Sequence, residues 1–177
     1  MIACSWLERF GENIERFAGE AVREKVMEGS TAAEQAGHAE KAAWLSQAFQ
    51  KLSGMVDADT RTQILQNSSC NCDIHVQKAR IAAEKSENMD EFLDRWIWES
   101  PIFGDMYRDG ETLYVTHPRC VCEWARVADQ SISPAFCQCS VGYVKRLFEG
   151  ALGREVDVDL VKSIAQGDEE CKFAVHF

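Results

Sequence analysis

The chain has no run of lysines or arginines. Its Asp and Glu outnumber its Lys and Arg by 29 to 19, which leaves a formal charge of -10. Binding to a phosphate backbone draws on clustered cations and the counterions they release. No nucleic acid is therefore expected as a partner, and an anionic membrane surface is disfavoured on the same ground. No apolar stretch approaches the length that crosses a bilayer. In the opening Met1-Ile2-Ala3-Cys4-Ser5-Trp6-Leu7-Glu8-Arg9-Phe10, charges interrupt each apolar stretch, so the pattern of an export signal is missing. The expected location is the cytoplasm, where a reducing environment makes eight cysteines read as metal or redox chemistry rather than a disulfide frame. Also missing are a Ser-His-Asp order, a Walker loop, the dinucleotide glycine fingerprint and His-Glu-x-x-His. No solenoid-length repeat or low-complexity linker interrupts the chain.

What is present suits one α+β domain over residues 1–177, with 46% hydrophobic residues and a core that needs no disulfide. Residues 1–100 read as helical. Ser5 and Glu8 have capping-box spacing, and Trp6, Phe10, Ile14, Phe17 and Ala21 recur as one apolar stripe. That stripe suits either core burial or the seam of a homodimer. Thr31 with Glu34 repeats the capping pattern before a helix carrying Ala43, Trp44, Ala48, Phe49 and Leu52 and ended by Gly54. Asp59 is placed to cap a short helix over Thr60 to Gln66. Further helices are expected over Ile74 to Lys85 and Asp90 to Trp98, the latter closed by Pro101.

Residues 101–177 change character. Asp109-Gly110 between Met106-Tyr107-Arg108 and Leu113-Tyr114-Val115 predicts a hairpin. A strand is expected over Cys120 to Ala128, and a helix from Ser133 or Ser140 through Phe148, with Gly150 and Gly153 after it. Val156 to Leu160 and Cys171 to Val175 alternate as strands on either side of a turn at Gly167-Asp168. The expectation is N-terminal helices followed by a roughly four-stranded antiparallel sheet with one packed helix.

Seven cysteines carry the chemical signal: Cys70-Asn71-Cys72, Cys120-Val121-Cys122, Cys137-Gln138-Cys139 and Cys171. On a strand, residues i and i+2 share a face, so Cys120 and Cys122 would aim two thiolates at one ion. On a helix the same spacing separates side chains by about 200°, so Cys137 and Cys139 would chelate together only in a loop or first turn. Soft thiolates suit zinc or an iron–sulfur cluster. Cys120, Cys122, Cys137 and Cys139 are the preferred ligands, with Cys70, Cys72 and Cys171 as alternates. Cys171 shares a strand face with Phe173 and Val175, so burial in the core is its default reading. His117, three residues before Cys120, could add an imidazole, and His75 stands in the same relation to Cys72.

The stretch from Cys137 to Phe177 resembles the 4-vinyl-reductase-like domain superfamily. The likeness is carried by Cys137-Gln138-Cys139-Ser140-Val141-Gly142-Tyr143, Leu147-Phe148-Glu149, Gly153-Arg154-Glu155-Val156, Ser163-Ile164, Gly167-Asp168 and Cys171-Lys172-Phe173. It is similar to a cysteine-rich branch of that superfamily, whose members bind or sense small ligands. The resemblance implies a structural zinc site to which Cys137 and Cys171 would contribute. Its other two positions fall on Ser163 and Leu160. The reading that follows is a stand-alone small-ligand-binding or sensor domain with a thiolate metal or redox site. A small metal- or cysteine-dependent hydrolase or reductase, and a dimeric interaction protein with structural cysteines, are the alternatives.

Overall fold

The computed structural model describes residues 6–69, 73–99, 103–127 and 133–176. It is α+β, with helices first and one four-stranded antiparallel sheet after them. By contacts the chain forms two compact units, residues 1–70 with 122–140 and residues 71–121 with 141–177.

The first unit is helical: α1 Trp6–Ala18, α2 Glu20–Met27, α3 Ser30–Gln35, α4 His38–Met55, α5 Ala58–Asn67 and the short α8 Glu123–Val127. Trp6, Phe10 and Ile14 recur at helical spacing and are buried, with Trp6 stacked on Phe10 at 4.7 Å. The stripe does not run on to Ala21. Gly19, at φ 90, takes a conformation open to glycine and breaks the run into α1 and α2, which leaves Ala21 exposed. Trp6 packs on Phe136 at 5.3 Å and on Trp124 at 5.4 Å, so the unit's own aromatics cover the stripe proposed as a dimer seam.

Local chemistry moves several boundaries. Ser30, not Thr31, opens α3, and α4 follows Gly37 and contains Gly54, ending at Met55. The cap of α5 is Asp57 rather than Asp59: the Thr60 N–H donates to Asp57 Oδ1 at 2.7 Å. That bond, with help from the Thr60 hydroxyl, holds the Asp57 carboxyl below its ordinary pKa. Ser5 of the expected first capping box lies outside the described residues.

The second unit holds α6 Asp73–Glu84, α7 Met89–Glu99, β1 Met106–Asp109, β2 Thr112–His117, β3 Asp157–Lys162 and β4 Cys171–His176, in sheet order β1-β2-β4-β3. Helix α9, Gln138–Leu152, gives Gln138, Cys139 and Ser140 to the first unit and residues 141–152 to this one. The Glu91 N–H donates to Asn88 Oδ1 at 3.0 Å, and Glu91 Oε2 accepts from the Glu87 N–H at 2.8 Å, so side-chain oxygens meet backbone N–H groups at the start of α7. Phe92, Leu93 and Trp96 of that helix are buried, while the Ile97 side chain and Pro101 lie outside the description. The hairpin forms as expected, one residue along: Asp109 pairs with Thr112, so Gly110-Glu111 is its loop.

Leu113, Val115 and His117 of β2 share a buried face with Phe173 and Val175 of β4, and Val141, Val144, Leu147 and Phe148 of α9 join the same core. Each large apolar side chain buried this way stabilises the fold by about 1.5–3 kcal/mol. On the other face, Lys172 Nζ donates to Tyr107 Oη at 2.6 Å and sits 4.3 Å from the Tyr114 ring centre. The Tyr107 bond is the main reason the Lys172 pKa is raised. Among the described residues no helix is long and apolar enough to cross a membrane.

Candidate functional site

The residues around Cys137 and Cys139 are helical throughout. Pro134 opens a 3-10 turn, Pro134–Cys137, with its missing N–H at a position that has no helical acceptor. The Phe136 N–H donates to Ser133 O at 2.9 Å, and the Gln138 N–H continues onto Ala135 O and Phe136 O, so the turn runs straight into α9. A loop would have let the two thiols point together. The helical turn sends them about 200° apart instead. Cys137 is half-buried and Cys139 is buried.

Cys139 meets the end of α5. Its S–H donates to Ser68 O at 3.7 Å, and beside it Gln66 Nε2 donates to Gln138 Oε1 at 2.9 Å. Ser68 is fixed by its own hydroxyl, which donates to Ile64 O at 2.6 Å. Ser69 is fully buried, and its Oγ has no hydrogen-bond partner among the described residues. The next residue in the chain is Cys70. Cys70 and Cys72 themselves lie outside the described residues, as does Cys4.

The expected strand over Cys120 to Ala128 is not formed over its described residues, 120–127, and Ala128 lies outside the description. Cys122 O accepts from the Arg126 N–H at 3.0 Å, the first turn of α8, and Cys120 lies outside regular structure. Glu123, Ala125 and Arg126 are good helix formers, and Trp124 on this helix packs against Trp6 and, at 6.0 Å, Trp44. Strand geometry therefore does not aim Cys120 and Cys122 at one ion. Within the helical unit, Cys122 lies two residues before Trp124 and Cys137 follows Phe136, and both aromatics rest on Trp6. Among the described residues no three His, Cys, Asp or Glu side chains group as a metal site.

In the sheet unit, His117 pairs with Cys171 across the end of the β2–β4 ladder. His117 is 2% exposed, stacked on Phe103 at 4.9 Å and met edge-on by Phe173 at 5.5 Å. His75 lies 3.0 Å from Tyr143 Oη through its Nδ1. Cys171 is half-buried and packs on the core, as its alternation with Phe173 and Val175 predicts. Ser163 is fully buried, and its N–H donates to Asp168 Oδ2 at 2.7 Å. With an alcohol there and an alkyl group at Leu160, two positions of the zinc site implied by the superfamily resemblance lack a good zinc donor.

A family model described as a family of unknown function, DUF6144, matches residues 8–176. The chain belongs to this family. No curated protein matches it. The DUF6144 match takes in both units and every cysteine but Cys4. Within this DUF6144 chain, sequence reasoning missed the pairing of His117 with Cys171. Alternation placed Cys171 on a strand face, but the expected strand at Leu113-Tyr114-Val115 stopped short of His117, and no local signal sets β4 beside β2. It also missed Ser68 and Ser69, ordinary helix-end residues until α9 is packed against them.

Proposed function

We propose that this DUF6144 protein is a stand-alone small-ligand-binding or sensor domain, and that its working group is a cysteine centre in the helical unit. Cys122 and Cys139 are its principal thiols. Cys70, which belongs to the same unit, adds a third. The observation that carries this reading is the contact of buried Cys139 with Ser68 O, two residues before Cys70, beside a fully buried Ser69 hydroxyl with no partner among the described residues. Buried polar atoms are rarely left without a partner, so a hydroxyl of this kind marks a place where a further polar group fits.

Soft thiolates of this kind suit zinc, and an iron–sulfur cluster is the second group they hold. Helical divergence allows one of Cys137 and Cys139, not both, to face a given ion. When bound, zinc would link Cys70, which follows α5 in the chain, Cys122, which precedes α8, and Cys139 of α9, and a change of thiol oxidation state would release it. The setting of this reading is a reducing cytoplasm, and the sensed partner is a small molecule. A homodimer is part of the proposal only through surfaces other than the covered Trp6 stripe.

The test is metal content and thermal melting of the Cys122→Ser, Cys139→Ser and Cys4→Ser variants, purified without oxygen. Cys122→Ser and Cys139→Ser should each lower occupancy and melting temperature together, and Cys4→Ser should change neither. Undiminished metal in both Cys122→Ser and Cys139→Ser would defeat the reading.

A further inference from the structure

The sheet unit carries a second reactive arrangement that the helical cysteine centre does not use. Antiparallel register sets Cys171 of β4 directly opposite His117 of β2. Both belong to the alternating inner face, Leu113, Val115 and His117 on one strand and Cys171, Phe173 and Val175 on the other. Side chains paired in this way have Cβ atoms about 4.5–5.5 Å apart, within reach of a thiol and an imidazole.

The imidazole is held from several sides. Phe103 lies over one face at an interplanar angle of 22°, and Phe173 meets it at 80°. Phe103 is itself placed by the neighbouring backbone. The Gly104 N–H donates to Thr116 O at 2.8 Å, the Thr116 N–H to Asp105 O at 3.0 Å, and the Asp105 N–H to Thr116 Oγ1 at 2.8 Å. Tyr143, hydrogen-bonded to His75, stacks on Phe103 at 6.4 Å. A buried, clamped imidazole beside a half-exposed thiol is the arrangement that activates a cysteine nucleophile.

We propose that Cys171 and His117 form a nucleophilic pair and that Cys171 is a site of oxidation by small peroxides. The sulfur is partly covered by core residues, which favours a reactant of nearly water size. The thiol proton passes to the imidazole, and sulfur attacks one peroxide oxygen. The S–O bond forms as the O–O bond breaks, and the leaving hydroxide recovers the proton as water. Cysteine thiol and hydrogen peroxide thus become sulfenic acid and water.

The experiment treats the native protein with less than one equivalent of hydrogen peroxide in the presence of dimedone and maps the labelled peptides. Cys171 should be labelled first, about tenfold faster than Cys120, a thiol that is likewise half-buried. In His117→Gln that still melts cooperatively, the Cys171 rate should fall to that of Cys120. Labelling of Cys171 in wild type no faster than Cys120 overturns the proposal without any variant, and so does undiminished Cys171 labelling in folded His117→Gln. Cys122→Ser and Cys139→Ser should leave Cys171 labelling unchanged, so this pair and the helical-unit centre stand or fall separately.

Discussion

A methyl group in place of the hydrogen of Gly150 would run into Val76 Cγ1, because α9 and α6 touch at this point. Gly104 is confined in the same way: an added Cβ would lie 2.7 Å from Thr116 Oγ1 and 3.1 Å from Pro118 Cδ. The sequence reading took Gly150 as a residue after the helix. It lies within α9, and its role is close packing. Overpacking of this kind costs about 1–3 kcal/mol. Gly150→Ala and Gly104→Ala should each lose about that much in denaturant unfolding. Gly54→Ala, with open space around its Cβ in α4, should gain up to about 1 kcal/mol. Equal effects at all three positions would show that the α9–α6 and Gly104–Thr116 contacts are not tight. Gly104 also sets Phe103 over His117, so Gly104→Ala should slow peroxide labelling of Cys171 as well as destabilise the unit.

At the scale of elements, charge acts at the helix starts. Asp57 is held below its ordinary pKa by the Thr60 N–H, and Glu91 by the Glu87 N–H and then by Arg95. A carboxyl whose folded pKa is depressed stabilises the fold fully above its unfolded value. That contribution fades as pH falls through the folded value. Asp57→Asn and Glu91→Gln should therefore melt slightly below wild type at neutral pH. The gaps should close as acid carries the solution through the carboxylate range. Gaps that persist in acid would mean that shape, not charge, sets these caps. Both groups are exposed, so the effect should also shrink in salt.

The same scale shows what the sequence could and could not convey. Helices α6 and α7 and, one residue off, the hairpin read at Asp109-Gly110 were legible because periodicity and turn chemistry are local. Helix α8 was not: Cys-Val-Cys alternates like a strand, and what decides against it is Trp124 packing on Trp6 and Trp44, far away in sequence. The stripe from Trp6 overran its helix because Gly19 is a break only once α2 folds back; a lone glycine is tolerated in a helical pattern.

For the whole molecule, the two units interleave along the chain, and α9 contributes to both. That interleaving is invisible to a reading that moves from one end to the other, as is the β1-β2-β4-β3 order that sets His117 opposite Cys171. Cysteine spacing singled out the Cys137–Cys139 segment. It could not show that the segment is helical, the case in which the two thiols part, or that Cys139 is buried against Ser68. The central claim is a thiolate centre that holds metal, and elemental analysis of anaerobically purified wild-type protein, before and after a chelator, tests it most directly. About one zinc per chain is expected, with a large fall in melting temperature when it is stripped, since structural zinc contributes on the order of 10 kcal/mol to folding. Protein that carries no metal when purified and melts at the same temperature with or without chelator would contradict the account.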